Sequence, residues 1–458
     1  MFSLRLLGIS LGYFVVLLDS TILNVALSDL RRSLGGTVAG QQWTIASYTI
    51  AFAALLLSSG AIADRFGAAR VFRFGLVAFA LTSLLCALAP TLELLILFRA
   101  AQGAAAAAIP ASSLSLLGEL YRVPAERARA VGTWAGTSTL GLAAGPLLGG
   151  LLVGAGGWRA VFLINLPFVL AALLLVGRRL APSPATSRAL DWRSQLATAT
   201  TLALVSAALI EGAEAPYRAL LLAVPALLSV PVLLAAERRS HAPAFPPRLL
   251  KVRELRRLLF TGVVAQFQLA GSMFVLALYF SEHRHYSTTL SGLAFLPLVL
   301  GPSLLASPAG HLAVRFGGAR VLSCGLAVGV LGDLLAAAAI LASAPYPALC
   351  AALVLMGLGT PLTLVPLTTQ VIDAAPEGTG GLTGGLFNAV RQMGATLGVA
   401  LLGGLLALSG PATGTAWALL TTAAVLLAAL LTRLNRGGGR PRAVASESGQ
   451  EAIRGGAR

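Results

Sequence analysis

The sequence predicts an all-α, polytopic membrane protein. Three observations carry that prediction. Hydrophobic residues make up 57% of the 458 positions and charged residues only 11%, against about 25% charged in an ordinary soluble domain. So few charges cannot clothe a soluble surface of this size. The apolar residues gather in runs of about twenty, the length that crosses a hydrocarbon core. Basic residues cluster in alternate loops between those runs, as a bilayer topology demands. The same composition excludes a soluble enzyme, a disordered chain and a disulfide scaffold. The 50 glycines and 23 prolines are tolerable in spanning helices, where packing re-satisfies the backbone.

Fourteen candidate spans follow in chain order: 5–28, 41–63, 71–90, 92–118, 128–153, 158–177, 193–211, 217–236, 257–281, 289–313, 320–342, 346–371, 382–408 and 413–432. The first has no small-residue cleavage site and continues through Asn24 to Asp29, so it reads as a retained helix. With the N-terminus inside, cytoplasmic segments hold 24 arginine and lysine residues and external loops five. That asymmetry supports an even number of spans and two cytoplasmic termini. It also gives the net charge of +16 a topological reading in place of nucleic-acid binding. Trp43, Trp158 and Trp192 sit at span ends, where interfacial anchors belong. Cys86, Cys324 and Cys350 lie in apolar runs and read as small core residues. Lys251 is the only lysine. With the richness in Ala, Leu and Gly, this points to a GC-rich bacterial genome.

An internal repeat organises the spans. Residues 60–71 read GAIADRFGAARV and residues 310–321 read GHLAVRFGGARV, with eight of twelve positions identical at an offset of 250. Gly149–Leu152 and Gly403–Leu406 repeat at an offset of 254. Two related halves follow, parallel repeats about an axis along the membrane normal. The offset is long for six spans and fits if spans seven and eight are inserted. The expected organisation is a six-helix bundle over 1–178, two inserted helices and a basic linker over 179–256, a second six-helix bundle over 257–434, and a disordered Gly/Arg/Ser-rich tail over 435–458.

Ionisable residues inside spans are functional candidates by default. Asp19 lies roughly 13 Å from the external end of span one and Arg99 roughly 10 Å from that of span four, so the two can pair. Gln102 and Gly103 share a face with Arg99 by i, i+3, i+4 spacing. Asn24 is about 140° around the helix from Asp19 and faces other neighbours; it reads equally as an interhelical hydrogen-bonder. Gly141, Gly145 and Gly149 recur every fourth residue and make a smooth packing face beside Pro146 and Gly150. Asp333 and Arg391 lie mid-span, each facing the cavity or pairing with the other. Gln266 and Gln268 are weaker polar candidates. Glu119 reads as a helix-end network residue. Glu282, His283 and His285 form either a metal clip or a solvated loop. No Gly-Lys-Ser/Thr phosphate loop occurs, so ATP hydrolysis is not the energy source.

On these motifs the sequence resembles the major facilitator superfamily and, within it, the fourteen-span drug:proton antiporter family. GAIADRFGAAR (60–70) resembles the superfamily's loop motif, with Ala68 and Ala69 where more basic residues are usual. The resemblance implies a gating latch using Gly60, Asp64, Arg65, Gly67 and Arg70. LLDSTILNVAL (17–27) resembles the first-span signature, with Ser28 where proline is common. RAAQG (99–103) matches the fourth-span motif, whose arginine is implicated in proton transfer. GLAAGPLLGG (141–150) resembles the antiporter motif that shapes the cavity and limits leak, and FNAVRQMG (387–394) also looks like the family. The implied activity is proton-coupled efflux of hydrophobic, cationic or neutral drug-like compounds from a bacterial plasma membrane. The implied protein is a monomer with no cofactor, no metal and no nucleic-acid partner. The rivals are an importer of a small metabolite or siderophore of the same fold, and a membrane-embedded enzyme or sensor.

Overall fold

The fold is given by a computed structural model that describes residues 4–177, 192–240, 247–376 and 380–434. The described residues form helices α1 (Leu4–Leu34), α2 (Val38–Phe66), α3 (Ala68–Ala87), α4 (Leu92–Leu120), α5 (Pro124–Gly156), α6 (Ala160–Leu163) and α7 (Asn165–Val176). They continue with α8 (Trp192–Glu214), α9 (Pro216–Arg239), α10 (Pro247–Lys251), α11 (Arg253–Leu278) and α12 (Thr288–Ala294). The chain ends in α13 (Leu296–Phe316), α14 (Gly318–Leu341), α15 (Tyr346–Asp373), α16 (Gly380–Ser409) and α17 (Pro411–Leu434). A π-turn, Tyr279–His283, extends α11. No strand occurs among the described residues. The expected disordered tail, 435–458, lies outside them.

Among the described residues eleven helices are long and apolar enough to cross a bilayer, and counting each of two bent pairs as one span brings the number to thirteen. The remaining expected span, over 158–177, is shorter: an apolar stretch Ala160–Val176 broken between α6 and α7. Both bent pairs precede a copy of the repeated loop. α2 bends by 55° just ahead of Ser58-Ser59-Gly60, and α13 bends by 47° after Pro302, whose ring removes a helix donor. The loops themselves superimpose in backbone terms. Gly67 has φ 90°, ψ 127° and Gly317 has φ 89°, ψ 129°, left-handed values that suit a residue without Cβ. The internal repeat is therefore structural as well as textual.

Helices α1–α7 pack mainly on one another, chiefly α1 on α5 and α7 and α4 on α2 and α3. Helices α11–α17 repeat the arrangement, with α11 on α16 and α14 on α15 and α17. Between the halves, α2 meets α16 and α5 meets α12 and α13. The α8–α9 hairpin lies outside this plan, with α8 touching both α2 and α16. Most span hydroxyls are satisfied within their own helix. Thr49, Thr82, Thr198 and Thr360 donate to carbonyls three or four residues back, which lets polar side chains sit in apolar surroundings.

Some expectations need correction. Trp158 is not an interfacial anchor. It is buried against Phe162, and its backbone N–H donates to Asp29 Oδ2 at 2.9 Å. Of the cysteines only Cys86 is buried; Cys324 is exposed and Cys350 intermediate.

Candidate functional site

A set of side-chain contacts joins the halves toward one face. Counting helices up and down from Leu4, the ends that carry Arg5, Arg65, Arg70 and Arg122 form a basic face. The joining contacts lie toward the opposite face. Ser28 and Ser281 hydroxyls are 2.6 Å apart, and Arg31 Nη1 is 2.9 Å from Glu282 Oε1. Gln42 Nε2 donates to the carbonyls of Val399 and Ala400, both at 2.8 Å. Thr289 Oγ1 donates to Gly150 O at 3.1 Å. The deepest bond joins Thr396 and Thr49 hydroxyls at 2.8 Å. Toward the basic face the picture reverses. A Cβ added at Gly60, Gly132, Gly136 or Gly384 would meet nothing within 4 Å. These contacts between the halves thus gather toward the opposite face while helix glycines nearer the basic face border open space, which points to a cleft open at the basic face.

The glycine motif of α5 builds the sealed end. A Cβ on Gly141 would collide with Phe14 O, and one on Gly145 would collide with Thr21 Oγ1 and approach Ile22 N to 2.9 Å. One on Gly149 would stand 2.8 Å from Ile22 O. These three glycines bring α5 against α1. Gly150 faces the other half, where its Cβ would meet Thr288 O at 2.7 Å, and Pro146 O touches Gly292. The π-turn completes the seal. Glu282 pairs with Arg31, and His283 stacks on Tyr279 at 5.2 Å. His283 and His285 are exposed, as a solvated loop requires, but Glu282 is tied to Arg31; no group of three His, Cys, Asp or Glu placed to hold a metal occurs among the described residues.

Asp19 and Arg99 do meet. Arg99 Nη1 is 2.6 Å from Asp19 Oδ2, and both side chains are buried. Asp19 Oδ1 also accepts from Gln102 Nε2 at 3.1 Å and Asn165 Nδ2 at 2.9 Å. Arg99 donates to Gln102 Oε1 at 2.8 Å and to Thr44 O at 3.2 Å, with Tyr48's ring 4.3 Å from its guanidinium carbon. Asn165 reaches Ser83 Oγ at 3.0 Å, and Ser83 donates to Phe162 O at 2.8 Å. Five elements, α1, α2, α3, α4 and α7, thus meet at one ion pair inside the first half. A buried pair survives only when its remaining donors and acceptors are satisfied, and this one is richly satisfied. Sequence reading missed Asn165, Ser83 and Tyr48. Asn165 was findable as a lone amide in the apolar run 161–176. Asn24 stays apart, donating to Thr21 O at 3.1 Å.

Of the two alternatives for Asp333 and Arg391, the mutual pair does not form. Asp333 is buried in the second half, where Gln268 Nε2 donates to Oδ1 at 3.2 Å while Oδ2 has no partner. Arg391 instead reaches Gln266 Oε1 at 3.1 Å and, weakly, Asn388 Oδ1 at 3.5 Å. The separation is topological: α14 packs on α15 and α17, whereas α16 stands at the seam with α2. In the repeated loop, Asp64 is half-buried while Arg65 and Arg70 are exposed.

The profile of the Major Facilitator Superfamily matches residues 9–255 and 258–455. The chain is 35% identical over 438 residues to a protein of Bacillus subtilis (strain 168) named methylenomycin A resistance protein, covering 94% of this chain and 93% of that one. It is 32% identical to multidrug resistance protein Stp of Mycobacterium tuberculosis (strain CDC 1551 / Oshkosh), covering 88% and 76%. Among solved structures, a POT family transporter in complex with a thioalcohol-conjugated peptide superimposes with a TM-score of 0.71 at 14% identity, covering 94% and 96%. A bacterial homologue of the human lysosomal transporter Spinster, inward-facing and occupied, gives a TM-score of 0.68 at 16% identity, covering 94% and 95%.

Proposed function

The chain belongs to the major facilitator superfamily, and from that premise we propose that it is a secondary active exporter of drug-like or antibiotic compounds, driven by the proton gradient. The observation that carries the reading is the one-sided cleft. A transporter working by alternating access must hold a central site reachable from one face at a time. Here the contacts between halves gather at one end and open space lies at the other. The naming of relatives as resistance proteins supports export over uptake.

In this reading the basic face is cytoplasmic, both termini lie inside, and the membrane is the bacterial plasma membrane. The protein works as a monomer and performs transport, not catalysis. Asp19, held by Arg99, Gln102 and Asn165, carries the proton. A carboxylate can exchange its charge for a proton, whereas a guanidinium cannot. Neutralising Asp19 would loosen the tie among five helices, which links protonation to the packing of the first half. Asp64, Arg65 and Arg70, in the α2–α3 turn, latch the cytoplasmic side when it closes, and the glycines of α5 keep the external seal tight against leak.

The test is efflux from loaded cells. Collapsing the proton gradient with an uncoupler, while ATP is kept high, should stop export and raise accumulation. Undiminished efflux would sink the proton-driven reading, and inward accumulation in energised cells would favour an importer.

A further inference from the structure

We propose that Arg391 is the anion-recognition point of the cleft, and that the transported compound carries a carboxylate on a flat, apolar body. This deepens the exporter reading and rests on it only for the direction of movement.

The first ground is what Arg391 lacks. Its partners are neutral amide oxygens, Gln266 Oε1 at 3.1 Å and the long contact to Asn388 Oδ1 at 3.5 Å. Phe387's ring lies 5.5 Å from its guanidinium carbon, and its buried Nε has no partner. Among the described residues no Asp or Glu forms an ion pair with it. The same chain shows what a structurally satisfied arginine looks like: Arg99 has a carboxylate at 2.6 Å, an amide and a carbonyl. An arginine held in the membrane interior with only neutral partners is costly. An anionic ligand arriving in the cleft would remove that cost.

The second ground is position. Arg391 lies eleven residues from the start of α16, roughly 16 Å in from the open face. Asn388, one turn nearer the mouth, is exposed, and Gly384, a further turn out, has open space beside it. That face of α16 is the wall of the open cleft. The third ground is what stands opposite. Tyr13 of α1 is within electrostatic range of Arg391. Its ring stacks on Trp134 of α5 at 5.0 Å with 12° between planes, and Trp134 Nε1 is a buried donor without an acceptor. A guanidinium with an aromatic pair in its neighbourhood suits a flat organic acid: the guanidinium would take the carboxylate in a fork and the partly exposed Tyr13 ring would take the body. A cationic compound would meet like charge there.

The experiment uses the full-length protein in lipid nanodiscs and three probes: 2-naphthoate, its methyl ester, and naphthyl-trimethylammonium. Equilibrium binding is measured for wild type, Arg391→Gln and Arg391→Lys. The acid should bind wild type about tenfold or more tighter than the ester or the ammonium, the range of a charge-assisted hydrogen bond. Arg391→Gln should lose about that factor for the acid with far less change for the ester, and Arg391→Lys should keep part of it. Equal binding of acid and ester by wild type overturns the proposal, even if the variants fail to reach the membrane. So does unchanged acid binding in Arg391→Gln. Proteoliposomes separate the two readings. Selective acid binding with no gradient-driven movement of any probe overturns the exporter and leaves the site standing. Movement of the ester or ammonium but not the acid overturns the site and leaves the exporter.

Discussion

Neutralising the two ends of the buried ion pair should have unequal effects. In Asp19→Asn, Arg99 keeps Gln102 Oε1 at 2.8 Å and Thr44 O at 3.2 Å but loses the carboxylate at 2.6 Å. Its charge stays, buried and without a counter-charge. In Arg99→Gln, Asp19 keeps the donors Gln102 at 3.1 Å and Asn165 at 2.9 Å and can take up a proton. Breaking a buried pair from one side costs about 3–5 kcal/mol. Asp19→Asn should fall in that range, because the stranded group cannot discharge. Arg99→Gln should cost less, about 1–3 kcal/mol, the scale of one buried unsatisfied group. The double variant should be more stable than Asp19→Asn alone, with a coupling energy of at least about 1 kcal/mol. It should also reach the membrane in near-normal amount and yet fail to couple efflux to the proton gradient. The assay is a double-mutant cycle, read as thermal midpoint in detergent, membrane abundance and uncoupler-sensitive efflux. Additive losses would mean the pair does not interact. Greater damage from Arg99→Gln than from Asp19→Asn would refute the charge argument. Restored coupled efflux in the double variant would make the pair structural only.

Three further outcomes are expected. Replacing Ser28 and Ser281 together by cysteine, where the hydroxyls now stand 2.6 Å apart, should allow an oxidant to lock the sealed end and stop transport until a reductant is added; oxidised protein with full activity would show that this end does not open. Gly145→Val should lower membrane abundance by an amount matching about 1–3 kcal/mol of overpacking, since even a Cβ there would strike Thr21 Oγ1; normal abundance would mean α1 and α5 part easily. Asp64→Asn should slow efflux at equal abundance, and wild-type turnover would remove the α2–α3 turn from gating.

What could be read in the sequence, and what could not, divides along physical lines. Helix positions were legible because apolar runs of about twenty residues have one meaning in a bilayer. The repeated loop was legible because its glycine is required by a left-handed backbone, at Gly67 and again at Gly317. The Asp19–Arg99 pair was legible because both residues are expensive inside a membrane and lie at similar depth. Asp333 and Arg391 meet that description too, but do not touch. Depth fixes one coordinate, and which seam a helix occupies fixes the other two; α14 packs on helices of the second half and α16 borders the first. Asn165 escaped notice because an amide is far less conspicuous than a charge, although it holds Asp19 as closely as Gln102 does. The π-turn had no sequence signal beyond Glu282 and His283.

The α8–α9 hairpin makes the two seams unlike. α8 runs along both α2 and α16, tied to α2 by Trp43 Nε1 donating to Glu211 at 2.9 Å near one face and by Gln195 to Ser58 near the other. Its Leu202 and Ile210 pack with Ala46, Ile50 and Ala400 across that seam. The seam between α5 and α13 carries no such cover among the described residues. One flank of the cleft is therefore braced by an added hairpin, and the other rests on the direct packing of α5 on α12 and α13. A compound approaching sideways from the lipid, as opposed to from water, would meet two more helices at the α2–α16 flank than at the α5–α13 flank.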